Sequence, residues 1–159
     1  MISGFRIPHS AFRNNGGVAT DYVIDAEHRV VVTLGVGTVS MLDLLDSMTR
    51  LLADARFSPA FHHIADFRRV NIDTPHLSSA DIRSLAARKV FDGSSRRAFV
   101  IGPSPAFDLA RLYATERGAG GETNIRTFRD LETAAEWTGV DLDATKEALE
   151  GLEKRLTQK

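Results

Sequence analysis

The sequence predicts an α/β fold: a single domain with a mixed, mostly parallel sheet and crossover helices. Three observations carry this. Two short β-branched runs, residues 21–24 and 29–34, flank Asp25-Ala26-Glu27-His28, whose turn chemistry suits a hairpin. After them, short apolar runs alternate with segments whose apolar residues recur at helical spacing. That strand–helix alternation suits parallel strands joined by right-handed crossovers.

The elements follow in order. Residues 1–20 show no clear period and end in Asn14-Asn15-Gly16-Gly17, so they read as an N-terminal arm turning into the domain. The second strand is expected to stop at Leu34, where Gly35-Val36-Gly37-Thr38 breaks it. Ser40 then caps a helix, with Asp43 at the third position, where a carboxylate meets the positive helix end. Leu44, Leu45, Met48, Leu51 and Leu52 give that helix an apolar face, and it should stop before Ser58-Pro59. Residues 62–67 form the central strand. Alternation sends His62, Ile64 and Asp66 to one side and His63, Ala65 and Phe67 to the other. Ser78 and Asp81 resemble a capping box for a helix lined by Ile82, Leu85, Ala86 and Val90. Residues 97–101 form another buried strand, with Arg96-Arg97 expected as a solvated edge that discourages strand pairing. Ser104-Pro105 supplies a cap and a first-turn proline for a helix running to about Arg117. Residues 125–128 alternate as an edge strand does. Residues 129–139 open on Arg129-Asp130 and form a short helix carrying Trp137. In residues 141–157, Leu142, Thr145, Leu149, Leu152 and Leu156 make a narrow heptad seam. That seam is expected to dock on the domain or on a second copy. The organisation read here is an arm (1–20), an α/β domain (21–140) and a C-terminal helix (141–159).

Composition narrows the functions. The 159-residue chain has a net charge of −1, so no global basic field gathers nucleic acid. It has no cysteine, which removes disulfides, thiol nucleophiles, iron–sulfur clusters and cysteine zinc sites, and fits a cytoplasmic protein. Residues 1–15 lack the apolar core of a signal peptide, and the longest apolar run, 30–36, is too short to span a membrane. Adjacent His62 and His63 point apart and cannot share a metal, and no metal-binding spacing is present. No nucleophile elbow or dinucleotide fingerprint occurs, so no catalytic residue, metal or cofactor is expected.

Asp66-Phe67, followed by Asp73-Thr74 before a helix, is similar to the pattern of STAS domains, the anti-sigma-factor antagonists. More closely, Gly37-Thr38-Val39-Ser40, Asp66-Phe67-Arg68, Arg97-Ala98-Phe99-Val100, Ala106-Phe107-Asp108-Leu109-Ala110-Arg111 and Phe128-Arg129-Asp130-Leu131-Glu132 resemble the SpoIIAA-like group of uncharacterised bacterial STAS-like proteins. The resemblance covers roughly residues 21–140. It implies the STAS/SpoIIAA-like version of the α/β fold and a non-enzymatic cytosolic interaction or regulatory module. It also makes Thr74 the position matching the family's phosphoacceptor, although Pro75 follows it and the usual glycine is missing.

The candidate binding residues lie where loops gather at the C-terminal ends of parallel strands. Asp66, Arg68 and Arg69 end the central strand. The two guanidiniums can clamp an anionic group while Asp66 holds one in place, or the three can form an exposed ion pair of little consequence. Ser78 and Ser104 stand at helix starts, which attract small anions but need caps in any case. A protein partner or a homodimer, through a sheet edge or the leucine seam, is the expected assembly. The alternative is a small-molecule or lipid carrier with a pocket between sheet and helices. Such a carrier needs an enclosed apolar cavity on the order of 300 Å³ or more.

Overall fold

The computed structural model describes residues 19–71, 78–102, 105–119 and 124–157. Strands β1 (Ala19–Asp25) and β2 (Val30–Thr38) are followed by α1 (Met41–Ala53), β3 (His62–Asn71), α2 (Ser79–Ala86) and β4 (Arg97–Val100). Then come α3 (Pro105–Ala119), β5 (Ile125–Phe128), α4 (Leu131–Thr138) and α5 (Leu142–Thr157). The five strands lie side by side in chain order. β1 and β2 form the antiparallel hairpin, and every later pair is parallel. The mixed α/β sheet read from the sequence is therefore the fold.

Strand order explains the layering. Each parallel strand after β2 is placed one position further along, and connections of one hand then leave α1, α2 and α3 on the same face. Along β3, Ile64 points away from them, into a core with Leu131, Ala135, Leu149 and Leu152 of α4 and α5. Ala65 points toward them, into a core with Ile82, Leu85 and Tyr113.

Local chemistry sets the helix ends. Ser40 Oγ accepts from the Asp43 amide (3.3 Å), and the Asp43 carboxylate accepts from the Ser40 amide (3.1 Å). Ser78 and Asp81 repeat the box at 3.2 and 3.0 Å. Asp130 caps α4, and Gly139 ends it at φ 79°, a left-handed backbone that glycine adopts without steric cost.

The seam of α5 docks on the chain's own sheet. Thr145, Leu149 and Leu152 are buried, and Leu142 and Leu156 pack beside them. The Arg155 guanidinium reaches across to the Tyr22 carbonyl (3.1 Å). Burying each leucine contributes about 2 kcal/mol, far more than such a partly exposed contact.

Three sequence expectations need correction. β2 does not stop at Leu34. It continues to Thr38 because β3 carries one extra residue opposite Gly35, where the pairing shifts from Leu34–Asp66 to Val36–Arg69. A Cβ at Gly35 would lie 2.8 Å from the Phe67 ring and 2.9 Å from Val70, so glycine lets those side chains close over the bulge. Second, Val90 is buried but lies beyond α2, which ends at Ala86. The Asp92 amide bonds to the Pro59 carbonyl (2.9 Å) and holds the segment against β3's start. Third, Arg97 is no solvated edge. β4 lies between β3 and β5, and Arg97 is only 5% exposed.

Candidate functional site

At the C-terminal end of β3, Asp66 is buried and holds Arg68 through both carboxylate oxygens, at 3.0 and 2.8 Å. The Arg68 amide adds a third bond (3.1 Å). The bond to Asp66 raises the pKa of Arg68 further. Arg69 faces Glu153 of α5 (3.1 Å) instead of joining Arg68 in a clamp. Both arginines line an open groove of about 300 Å³ with Glu132, Lys146, Glu150 and Glu153. Lys146 lies 3.8 Å from Glu132. Charges of both signs alternate and pair there, so the groove focuses no field of one sign. The Ser78 hydroxyl is engaged by the capping box. Thr74 and Ser104 lie outside the described residues.

A second site lies on the opposite face of the sheet. A cleft of about 140 Å³ separates the sheet from α1, α2 and α3. Leu44, Met48 and Leu51 line it from α1, Ile82 and Leu85 from α2, and Leu109, Ala110 and Tyr113 from α3. Thr33, His63, Phe67, Arg97 and Phe99 form its floor. The cleft exists because α1 sits loosely: within that helix only Leu51 is buried, while Met41, Leu44, Leu45 and Met48 are half-covered. Leu42 and Leu52, on the same helix, are 50% and 54% exposed.

The floor carries an ordered polar end. β3 and β4 pair His63 with Arg97. The His63 ring stacks on Phe91 with centroids 4.9 Å apart, and its Nε2 is 2.9 Å from Thr33 Oγ1. Its Nδ1 is buried with no hydrogen-bond partner among the described residues. Burial, reinforced by the Arg97 charge, holds the His63 pKa well below its ordinary value, so the ring is neutral at pH 7. The Arg97 guanidinium lies 4.5 Å from the Phe91 ring centre, 5.7 Å from Phe99 and 5.3 Å from Tyr113. It also donates to the Tyr113 hydroxyl (3.0 Å). Facing aromatic rings favours a cation and fixes its position.

His62, as alternation requires, parts from His63. Its Nδ1 accepts from the Arg96 amide (3.0 Å). Arg96 packs over Trp137, at 5.8 Å, and donates to its carbonyl (2.8 Å). No cluster of His, Asp and Glu suited to a metal occurs among the described residues, and none of their helices is long and apolar enough to cross a membrane.

Sequence reasoning singled out Asp66, Arg68 and Arg69, and the structure does bring them to one strand end. It missed the combination of Thr33, His63, Arg97 and Tyr113. The available signal was an arginine opening the apolar run Ala98-Phe99-Val100-Ile101. A charge at a strand's inner position is informative only if the strand is central.

No family model and no curated protein matches the chain. Among solved structures it is similar to an uncharacterised protein of the DUF3478 family with a SpoIIAA-like fold, from Shewanella loihica PV-4. The identity is 17% and the TM-score 0.49, over 77% of this chain and 94% of that one.

Proposed function

We propose that this domain is a non-enzymatic module that binds a small apolar molecule in the cleft beneath α1, α2 and α3. The observation that carries the reading is the cleft itself: an apolar space of about 140 Å³ with a few polar groups at one end. Ligand sites have that make-up, apolar walls with a small number of placed polar groups. An apolar cavity of about 150 Å³ takes up benzene, so the space suits a ligand, or one group of a ligand, of that size. It falls short of the roughly 300 Å³ expected for a drug-sized ligand, and a whole lipid chain exceeds it. The carrier reading therefore narrows to small molecules. A regulatory protein partner at the end of β3 has less behind it, because Arg68 and Arg69 already face carboxylates.

Filling the cleft tests this. Ala110 lines it from α3, and Ala110→Phe places a ring in the space. Toluene binding, followed by ligand-observed NMR, should be strong in the natural chain and lost in Ala110→Phe, with the circular dichroism spectrum unchanged. Toluene that fails to bind the natural chain, or binds a folded Ala110→Phe equally well, refutes the reading.

A further inference from the structure

We infer that the free edge of β5 is a docking surface for an extended acidic peptide, which adds as a further strand and meets Arg126 and Arg96 around Trp137. The surface lies apart from the cleft, so the inference stands independently of the ligand proposed there.

Two observations carry it. The first concerns the backbone. β5 ends the sheet, with β4 on one side only. The Asn124 and Phe128 carbonyls accept from the Arg97 and Ile101 amides, at 2.8 and 2.9 Å, so these alternate positions turn toward β4. The N–H and C=O groups of Ile125 and Thr127 then face the free edge, with no hydrogen-bond partner among the described residues. Such a row receives an extended peptide through main-chain hydrogen bonds.

The second observation is charge. The Arg126 guanidinium lies 5.3 Å from the Trp137 ring centre, and that of Arg96 lies 5.8 Å from the same ring. Phe128 packs against the ring from β5, at 5.6 Å. Arg50, Arg56, Arg68, Arg69 and Arg155 each form an ion pair with a carboxylate. Arg96 and Arg126 are both exposed and form none among the described residues. Contact with an aromatic ring positions a guanidinium without neutralising it. A strand added beside β5 places its side chains at cross-strand distance from Arg126, on the face that carries Trp137, and opposite charges stabilise such a pair. A second copy of β5 would bring like charge to the same patch, which disfavours edge-to-edge self-pairing.

Trp137 is the chain's single tryptophan, so its fluorescence reports on the patch. The probe is a blocked hexapeptide of alternating glutamate and valine, with glutamine and lysine versions as controls. The glutamate peptide should bind tightest and the lysine peptide weakest. In NMR spectra the Ile125 and Thr127 amides should shift and exchange more slowly with solvent. Arg96→Gln combined with Arg126→Gln should weaken the glutamate peptide about tenfold, the loss of two partly exposed ion pairs. Both side chains are exposed, so the double variant keeps the fold, which its circular dichroism spectrum checks. The inference is overturned if the glutamate peptide fails to bind, if the glutamine peptide binds as tightly, or if the double variant retains full affinity. A fully N-methylated glutamate peptide that binds equally well overturns the strand pairing. Oligothymidylate that quenches Trp137 at the same concentrations overturns the choice of partner and makes the patch a nucleic-acid site.

Discussion

The two faces of this sheet are built from the same strands and finished differently. Toward α4 and α5, Val30, Val32, Leu34, Ile64, Ala98 and Val100 meet aliphatic side chains, and Leu152 is fully buried among them. Toward α1, α2 and α3, the same strands present Thr33, His63, Phe67 and Arg97, and the helices stand off far enough to leave a cleft. Alternation along a strand makes this division possible, since neighbouring residues serve opposite faces. One face can then be packed for stability while the other gives up packing for a space with placed polar groups. The net stability of a domain is small, so a gap on one face requires good packing elsewhere.

The largest expected effect tests the packed face. Leu152→Ala should lower the unfolding free energy by about 3 kcal/mol, since a fully buried leucine leaves a cavity. Met48→Ala, on the cleft wall, should lose well under half as much, because its side chain is only partly covered. Urea denaturation of both variants measures the contrast. Equal losses would mean that the two faces are packed alike.

Gly35→Ala should cost about 2 kcal/mol by overpacking, because the added carbon meets the Phe67 ring and Val70 at under 3 Å. Since Phe67 lines the cleft, the same change should weaken toluene binding. Loss of stability with binding unchanged would separate the bulge from the cleft.

A smaller effect is pH-dependent. His63 is neutral when folded, and an unfolded histidine titrates near pH 6.5. Below that pH the unfolded chain takes up a proton that the folded chain refuses, so stability falls as pH falls. The loss should grow steadily as pH falls from 7 toward 5. His28 works in the opposite direction: its hydrogen bond to Asp25 raises its pKa, and the residue is exposed. His62 is shifted down, chiefly by burial. Urea midpoints of His63→Gln and the natural chain, compared at pH 7 and pH 5, isolate the contribution of His63. An unchanged pH dependence in His63→Gln would contradict a buried neutral ring.

Much of the fold was legible because its signals are local. Ser40 with Asp43, Ser78 with Asp81, and Gly139 mark helix ends through contacts within a few residues. The α5 seam was legible as a seam, though its partner, the sheet of the same chain, was not. The continuation of β2 through Gly35 was hidden because it depends on an extra residue in β3, some thirty positions away. The cleft was hidden for a related reason. His63 and Arg97 become neighbours only through the β3–β4 register, and Tyr113 joins them from α3. Asp66 and Arg68, two residues apart, were visible as a pair, but the carboxylate of Glu153 facing Arg69 comes from a distant helix.

One face of the sheet is filled, and the other, in the function we propose, receives a ligand. Methyl-resolved NMR during a toluene titration tests this most directly, with Leu44, Met48, Leu51, Leu85 and Leu109 reporting on the cleft and Leu131, Leu149 and Leu152 on the packed face. The predicted result is saturable shifts confined to the first group. Shifts spread evenly over both groups, or absent from the cleft methyls, would contradict it.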